Sequence, residues 1–153
     1  MTAVRFGRVM LPVDFSAHSD GAATYAAWFA QTFGATVHLV HVIANPLDAT
    51  YEPEEAARWL LVEHAERKAN EWLRSYGQRH LPPGSPREHH ILHGDPYGKL
   101  LEVANQVLPD VIVMSTHGRS GVAHLLIGSV AEKIVRHAPC PVFVIHRPPE
   151  QNQ

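Results

Sequence analysis

Short runs of apolar, often β-branched residues alternate along this chain with longer stretches in which apolar residues recur every three or four positions. The first kind reads as buried strands, the second as amphipathic helices. Val9 to Val13 predicts the first strand, and Pro12 marks its end because proline lacks the donor a central strand needs. Ser16 to Ser19 offer caps for a helix with an apolar stripe of Ala22, Ala26, Phe29 and Phe33, which Gly34 closes as a C′ residue. Val37 to Ile43 predicts the second strand, and 45–53 reads as a loop. Glu54 to about His80 predicts a long helix whose stripe is Ala57, Leu61, Ala65, Ala69, Trp72 and Tyr76. Three prolines and a glycine between Leu81 and Pro86 break it.

Glu88 to His93 is the third strand candidate. Asp95 as N-cap and Pro96 at N1 open a helix that buries Tyr97, Leu100, Leu101, Ala104 and Leu108. Val111 to Met114 is the fourth strand and Pro141 to Ile145 the last. Between them, Ser129-x-x-Glu132 matches a capping box, with Ser129 as N-cap and Glu132 at N3. Strands alternating with helices predict an α/β fold, a parallel sheet covered on both faces by right-handed crossovers. One domain over 1–153 is expected, with its core at about 5–147 and a fraying tail at 148–153.

Charge and cysteine usage narrow the functional classes. The net charge of −2 offers no basic surface, so neither nucleic acid nor an anionic membrane is an expected partner. No apolar run reaches membrane-span length, and the first residues lack the apolar core of a signal peptide. The lone Cys140 excludes an intrachain disulfide, fits a cytoplasmic protein, and reads as a packing residue between two prolines. Twelve histidines would make the chain cationic in mild acid. Alternation places His38 and His41 on opposite faces of their strand, as it does His90 and His93. His89 and His93 share a face, but only Asp95 stands near enough in sequence to join them, so these histidines read as hydrogen-bonded or solvated residues.

The stretch after the fourth strand carries the chemistry. Ser115 to Gly121 is a polar loop with glycines at 118 and 121, followed by Gly128-Ser129 at a helix start. Loop and first-turn N–H groups lack intrahelical partners, and the helix dipole favours an anion there. Gly118, Gly128, Ser129 and Val130 would present such groups to a phosphate, and Arg119 would add a fixed charge. A tight turn with an ordinary N-cap is the plainer alternative. Asp14, at the end of the first strand, reads either as a cap for the Ser16 helix or as a ligand to ribose hydroxyls or a Mg²⁺ or Mn²⁺ ion.

Gly118, nine residues, then Gly128-Ser129 resembles the second part of the G-x2-G-x9-G-S/T motif of nucleotide-binding universal stress proteins. Val13-Asp-Phe-Ser16, Thr116-His-Gly-Arg-Ser-Gly121, Leu125-Leu-Ile-Gly-Ser-Val-Ala-Glu132 and Arg136-His-Ala-Pro-Cys-Pro-Val142 are similar to that family as well. Ser115 stands where the motif has its first glycine. The resemblance implies a Rossmann-like, doubly wound five-stranded parallel sheet in the order 3-2-1-4-5. It implies a site for ATP, ADP or AMP, with Mg²⁺ or Mn²⁺ accompanying the nucleotide. Pro12, Val13 and Asp14 would then lie near ribose and adenine, Val42 would offer backbone hydrogen bonds to adenine, and Met114, Ser115 and His117 would line the ribose-phosphate side. It also implies a homodimer through the last strand.

No Walker lysine loop occurs in the chain, which favours a regulatory nucleotide binder of the stress response with little or no turnover. Weak ATP hydrolysis or autophosphorylation stays open. A different class, a dimeric interaction module with a vacant crevice, draws support from Ser115. A small adenylyltransferase would need a Ser-Gly-Gly loop after the first strand, where Asp14-Phe-Ser-Ala-His18 stands instead.

Overall fold

The computed structural model describes residues 3–44, 55–117 and 127–146, the side chains of 55 and 56 excepted. The expected loop at 45–53, Gly118, Arg119, Gly121 and the tail at 148–153 lie outside the described residues. Five strands and four helices alternate: β1 (Arg8–Pro12), α1 (Ala17–Phe33), β2 (Thr36–Ile43), α2 (Glu55–His80), β3 (Arg87–His93), α3 (Pro96–Val107), β4 (Val111–Ser115), α4 (Ser129–His137) and β5 (Val142–Ile145). The strands pair in parallel in the order β3-β2-β1-β4-β5.

Strict alternation sorts the strand residues between two cores. Val9, Leu11, Val37, Leu39, Val111 and Val113 face α1 and α2 with Ala22, Ala26, Phe29, Leu73 and Tyr76. Met10, Val40, Ile112 and Met114 face α3 and α4 with Leu100, Val103, Ala104 and Ile134. The helices before β3 thus cover one face and the later ones the other. The order of strands reverses at β1, which opens a crevice at the carboxyl ends of β1 and β4.

Local signals set most boundaries. The Ser16 side chain accepts from the Ser19 N–H, and Gly34 closes α1 in the left-handed conformation. Asp95 accepts from the Gly98 N–H with Pro96 at N1, as expected for α3. Several of these assignments need correction. Phe33, Ala57, Leu61 and Trp72 are exposed, and among the described residues α2 buries the apolar side chains of Ala69, Leu73 and Tyr76. Leu108 is the exposed left-handed cap of α3, and Val103 takes the buried place. Gly128, not Ser129, is the N-cap of α4, so no capping box forms; Glu132 pairs instead with Arg136.

Burial pushes the imidazoles of His38, His80, His89 and His90 below the usual histidine range. A depressed folded pKa means the unfolded chain binds more protons between that value and about 6.5, so stability rises with pH through this window. The contribution is present above pH ~6.5 and is lost as pH falls through the folded values. Thermal melts in chelator-containing buffer should therefore show a lower midpoint at pH 5.5 than at 7.5, a gap that narrows in His80→Gln.

Candidate functional site

The carboxyl ends of β1, β2 and β4 enclose a cleft of about 570 Å³ on the α3–α4 side of the sheet. That volume lies within the range of small-molecule sites. Val40, Val42, Leu100, Met114 and Ala131 give it apolar walls. Asp14, Ser19, His41, Ser115, Thr116, His117 and Ser129 supply polar groups. Apolar walls with a few polar groups are the usual make-up of a small-molecule site.

Asp14 is fixed by the turn between β1 and α1. Its Oδ1 accepts from the Ser16 N–H at 3.0 Å and from the Ser16 and Ser19 hydroxyls, each at 2.6 Å. The Ser19 Oγ in turn accepts from the Asp14 N–H at 3.1 Å. Asp14 therefore does brace the start of α1, and it lines the cleft as well. The chain makes this turn through Phe15, whose φ of 62° is unusual for a residue with a bulky side chain. Ring contacts of Phe15 with His41, Trp72 and Tyr76, at 4.7, 5.7 and 6.0 Å, hold it there. His41 Nδ1 also lies 2.7 Å from the Val13 carbonyl oxygen, which ties the end of β2 to the end of β1.

On the opposite wall, the Gly128 N–H donates to the Thr116 carbonyl at 2.6 Å, so the start of α4 closes on the end of β4. A Cβ at 128 would meet that same oxygen at 2.7 Å. Glycine is required here for space, since its φ of −70° and ψ of 158° suit any residue. The Ser115 hydroxyl donates to the His117 carbonyl at 2.9 Å, and Thr116 Oγ1 lies 2.9 Å from His117 Nδ1. These bonds shape the turn at the end of β4.

Ten of the twelve residues expected at a ligand line this cleft: Pro12, Val13, Asp14, Val42, Met114, Ser115, His117, Gly128, Ser129 and Val130. Gly118 and Arg119 lie outside the described residues. Sequence reasoning did not place Ser19, or Pro96 and Leu100 from the start of α3, at the cleft; it read His41 as a hydrogen-bonded strand residue, which its contact with Val13 agrees with, but not as part of the site. The one available signal was position, since His41 sits near the carboxyl end of a strand next to the switch point.

A model of the universal stress protein family matches residues 5–146. The chain belongs to this family. It is 36% identical over 143 residues to a universal stress protein of Thermus aquaticus, covering 92% of this chain and 98% of that one. A Methanocaldococcus jannaschii universal stress protein is 30% identical over 147 residues, or 95% and 85% of the two chains. Among solved structures, universal stress protein UspA from Lactobacillus plantarum superposes with a TM-score of 0.79 at 25% identity, covering 94% and 99%. Two further solved universal stress proteins share the fold: a complex with cAMP at TM-score 0.58 and 24% identity, and one from Archaeoglobus fulgidus with dAMP at 0.59 and 22%. They cover 93% and 94% of this chain, and 98% and 99% of their own.

Proposed function

We propose that this universal stress protein binds an adenine nucleotide, ATP or one of its shorter relatives, in the cleft between β1 and β4, and acts as a regulator with little or no turnover. The observation that carries the reading is the cleft itself, with apolar walls, a fixed carboxylate at Asp14 and a helix start closed on Gly128. The adenine nucleotides held by the cAMP and dAMP complexes support the same ligand class. Adenine would lie between Val40, Val42 and Leu100, ribose beside Asp14, and phosphates toward the start of α4, where unpaired N–H groups favour an anion. Mg²⁺ or Mn²⁺ would enter with the nucleotide, because phosphate oxygens supply the hard ligands such ions prefer. Ser115 does not oppose this arrangement, since its hydroxyl is turned to the His117 carbonyl of its own loop.

The experiment is denaturing extraction of freshly purified protein with mass spectrometry of what is released, followed by calorimetric titration of ATP with Mg²⁺. Adenine nucleotide near one per chain, or a saturating binding heat, supports the reading. Neither signal would leave the vacant-crevice interaction module as the better account.

We also propose a homodimer through β5. That strand is a sheet edge, and bare edges attract partners. Beside it, exposed Phe143, Tyr25, Trp28 and Phe33 are joined by ring contacts through the buried Phe29 across β5 and α1, a patch that a partner would cover. Light scattering after size exclusion should give about twice 17.0 kDa at micromolar concentration, and Phe143→Glu should shift the mass to one chain. A wild-type monomer would refute the dimer.

A further inference from the structure

At the other end of the sheet, β2 and β3 bring together three side chains that no single strand contains as a cluster. His38 pairs in register with Glu88 and Val40 with His90, so all three side chains stand on the α3–α4 side, toward the amino ends of their strands. His38 Nδ1 lies 3.1 Å from His90 Nε2 and 3.5 Å from Glu88 Oε2, and His90 Nε2 lies 3.9 Å from the same oxygen. Among the described residues this is the group of three potential metal ligands whose donor atoms all lie within 4.8 Å of one another.

We propose that His38, Glu88 and His90 form a binding site for a transition-metal ion of the zinc class, separate from the nucleotide cleft, with its remaining coordination position open to solvent. The donor set decides the class. Two imidazole nitrogens disfavour Mg²⁺ and Ca²⁺, and two histidines with one glutamate are a donor set zinc uses when it keeps one position for water. Size agrees as well. Zinc bonds of about 2.1 Å in a tetrahedron set ligand atoms roughly 3.4 Å apart, near the middle of the three separations here. An octahedral ion with bonds of about 2.1 Å would draw neighbouring ligands to roughly 3.0 Å.

Access and charge are compatible with loading. The His38 side chain is 7% exposed and that of His90 26%, whereas Glu88 is 61% exposed and forms the entry side. A neutral imidazole is the form that ligates, and burial disfavours the charged form of both rings. The hydrogen now shared between the two rings moves to the outer nitrogen of the ring that carries it. Arg8 is the nearby cation that opposes an added charge on His38; its Nη1 donates to the Val107 carbonyl at 3.0 Å, and the Glu88 carboxylate offsets it. A bound ion would staple the edge strand β3 to β2.

The test is a titration of tag-free, chelator-stripped protein with Co²⁺, read by its visible absorption, then with Zn²⁺ in competition with a chromophoric chelator. One ion per chain with an absorption typical of tetrahedral Co²⁺, displaced by Zn²⁺, is expected. Glu88→Gln and His90→Gln should each weaken binding by more than about tenfold, the least that losing even an outer-shell partner commonly costs. His93→Gln, whose imidazole faces Glu66 of α2 at 2.7 Å, should bind as wild type does. Glu88 is exposed, so its variant keeps the fold, and melts of each apo variant verify this. Absence of stoichiometric binding, or binding unchanged in both Glu88→Gln and His90→Gln, would overturn the site.

Discussion

Replacing Gly128 by valine is expected to abolish the proposed nucleotide binding and to lower the stability of the whole protein. Any Cβ at this position sits 2.7 Å from the Thr116 carbonyl oxygen, well inside contact distance, and that oxygen is backbone, with no side-chain rotamer to move it aside. Either α4 must slide away from the end of β4 or the turn at Thr116 and His117 must open. Both movements break the 2.6 Å hydrogen bond from Gly128 to Thr116 and disturb Ala131 and Ile134, which are buried against the sheet. Overpacking of this kind costs about 1–3 kcal/mol, which lowers the melting midpoint of a domain this size by roughly 2–12 °C. Binding suffers more, because the N–H groups at the start of α4 face the proposed phosphate position and lose their aim. Calorimetry with ATP and Mg²⁺ against a matched thermal melt separates the two effects. A valine variant that melts early yet binds with wild-type affinity would show that the phosphates do not depend on this contact.

The apolar runs were enough to place every strand within one or two residues: the central strands β1, β2 and β4 carry consecutive buried residues, and the half-buried edge strands β3 and β5 are bounded by prolines and glycines. Helix faces were harder. A 26-residue helix such as α2 spans roughly 39 Å, while the eight residues of β2 span roughly 27 Å, so α2 overhangs the sheet. Ala57 and Leu61 continue the apolar period past the point where there is sheet to cover, and period alone does not say where the sheet ends. Leu108 was misread for a related reason: it follows Ala104 at helical spacing, but the backbone turns left-handed there and ends α3. Ser129 failed as a cap because the contact that sets the start of α4 is tertiary. Gly128 reaches across to Thr116, and a local Ser-x-x-Glu pattern carries no trace of that.

The cleft was more legible than the helix faces, since strand ends near a topological switch are defined by order, and the family resemblance supplied the order. What sequence could not show was register across strands. His38 lies 50 and 52 positions from Glu88 and His90 along the chain, and only the pairing of β2 with β3 makes it their neighbour. Within-strand spacing argued against a shared metal among these histidines, and within one strand it was right: His90 and His93 do face opposite sides, with His93 toward Glu66. Phe15 was hidden for a different reason. A left-handed phenylalanine contradicts local preference, and only its partners His41, Trp72 and Tyr76 make it tolerable.

Asp14→Ala is the second large effect, and its pairing with Asp14→Asn separates structure from binding. Alanine strands the Ser16 N–H and the Ser16 and Ser19 hydroxyls, which now converge on one carboxylate oxygen beside the start of α1. Hydrogen bonds to a charged acceptor are worth about 1.5–3 kcal/mol, and the two hydroxyls recover part of that by turning to water or to each other. A loss near the lower end, roughly 3–6 °C in melting midpoint, is expected for alanine. Asparagine keeps an oxygen in the same place, so it should hold the turn and melt within a degree or two of wild type. It lacks the full charge and has an N–H₂ where the second carboxylate oxygen was, so a carboxylate that accepts from ribose hydroxyls is not replaced. The nucleotide Kd should therefore rise by roughly 10- to 100-fold in Asp14→Asn, the equivalent of one lost charge-assisted bond. Titration of both variants with ATP and with its 2′-deoxy analogue distinguishes the roles. If Asp14 contacts the ribose, the wild type prefers ATP over the deoxy analogue and the asparagine variant does not. If asparagine binds both as wild type does, Asp14 is a brace for α1 alone, and the polar contacts to a ligand must be sought at His41, Ser115 and His117 instead.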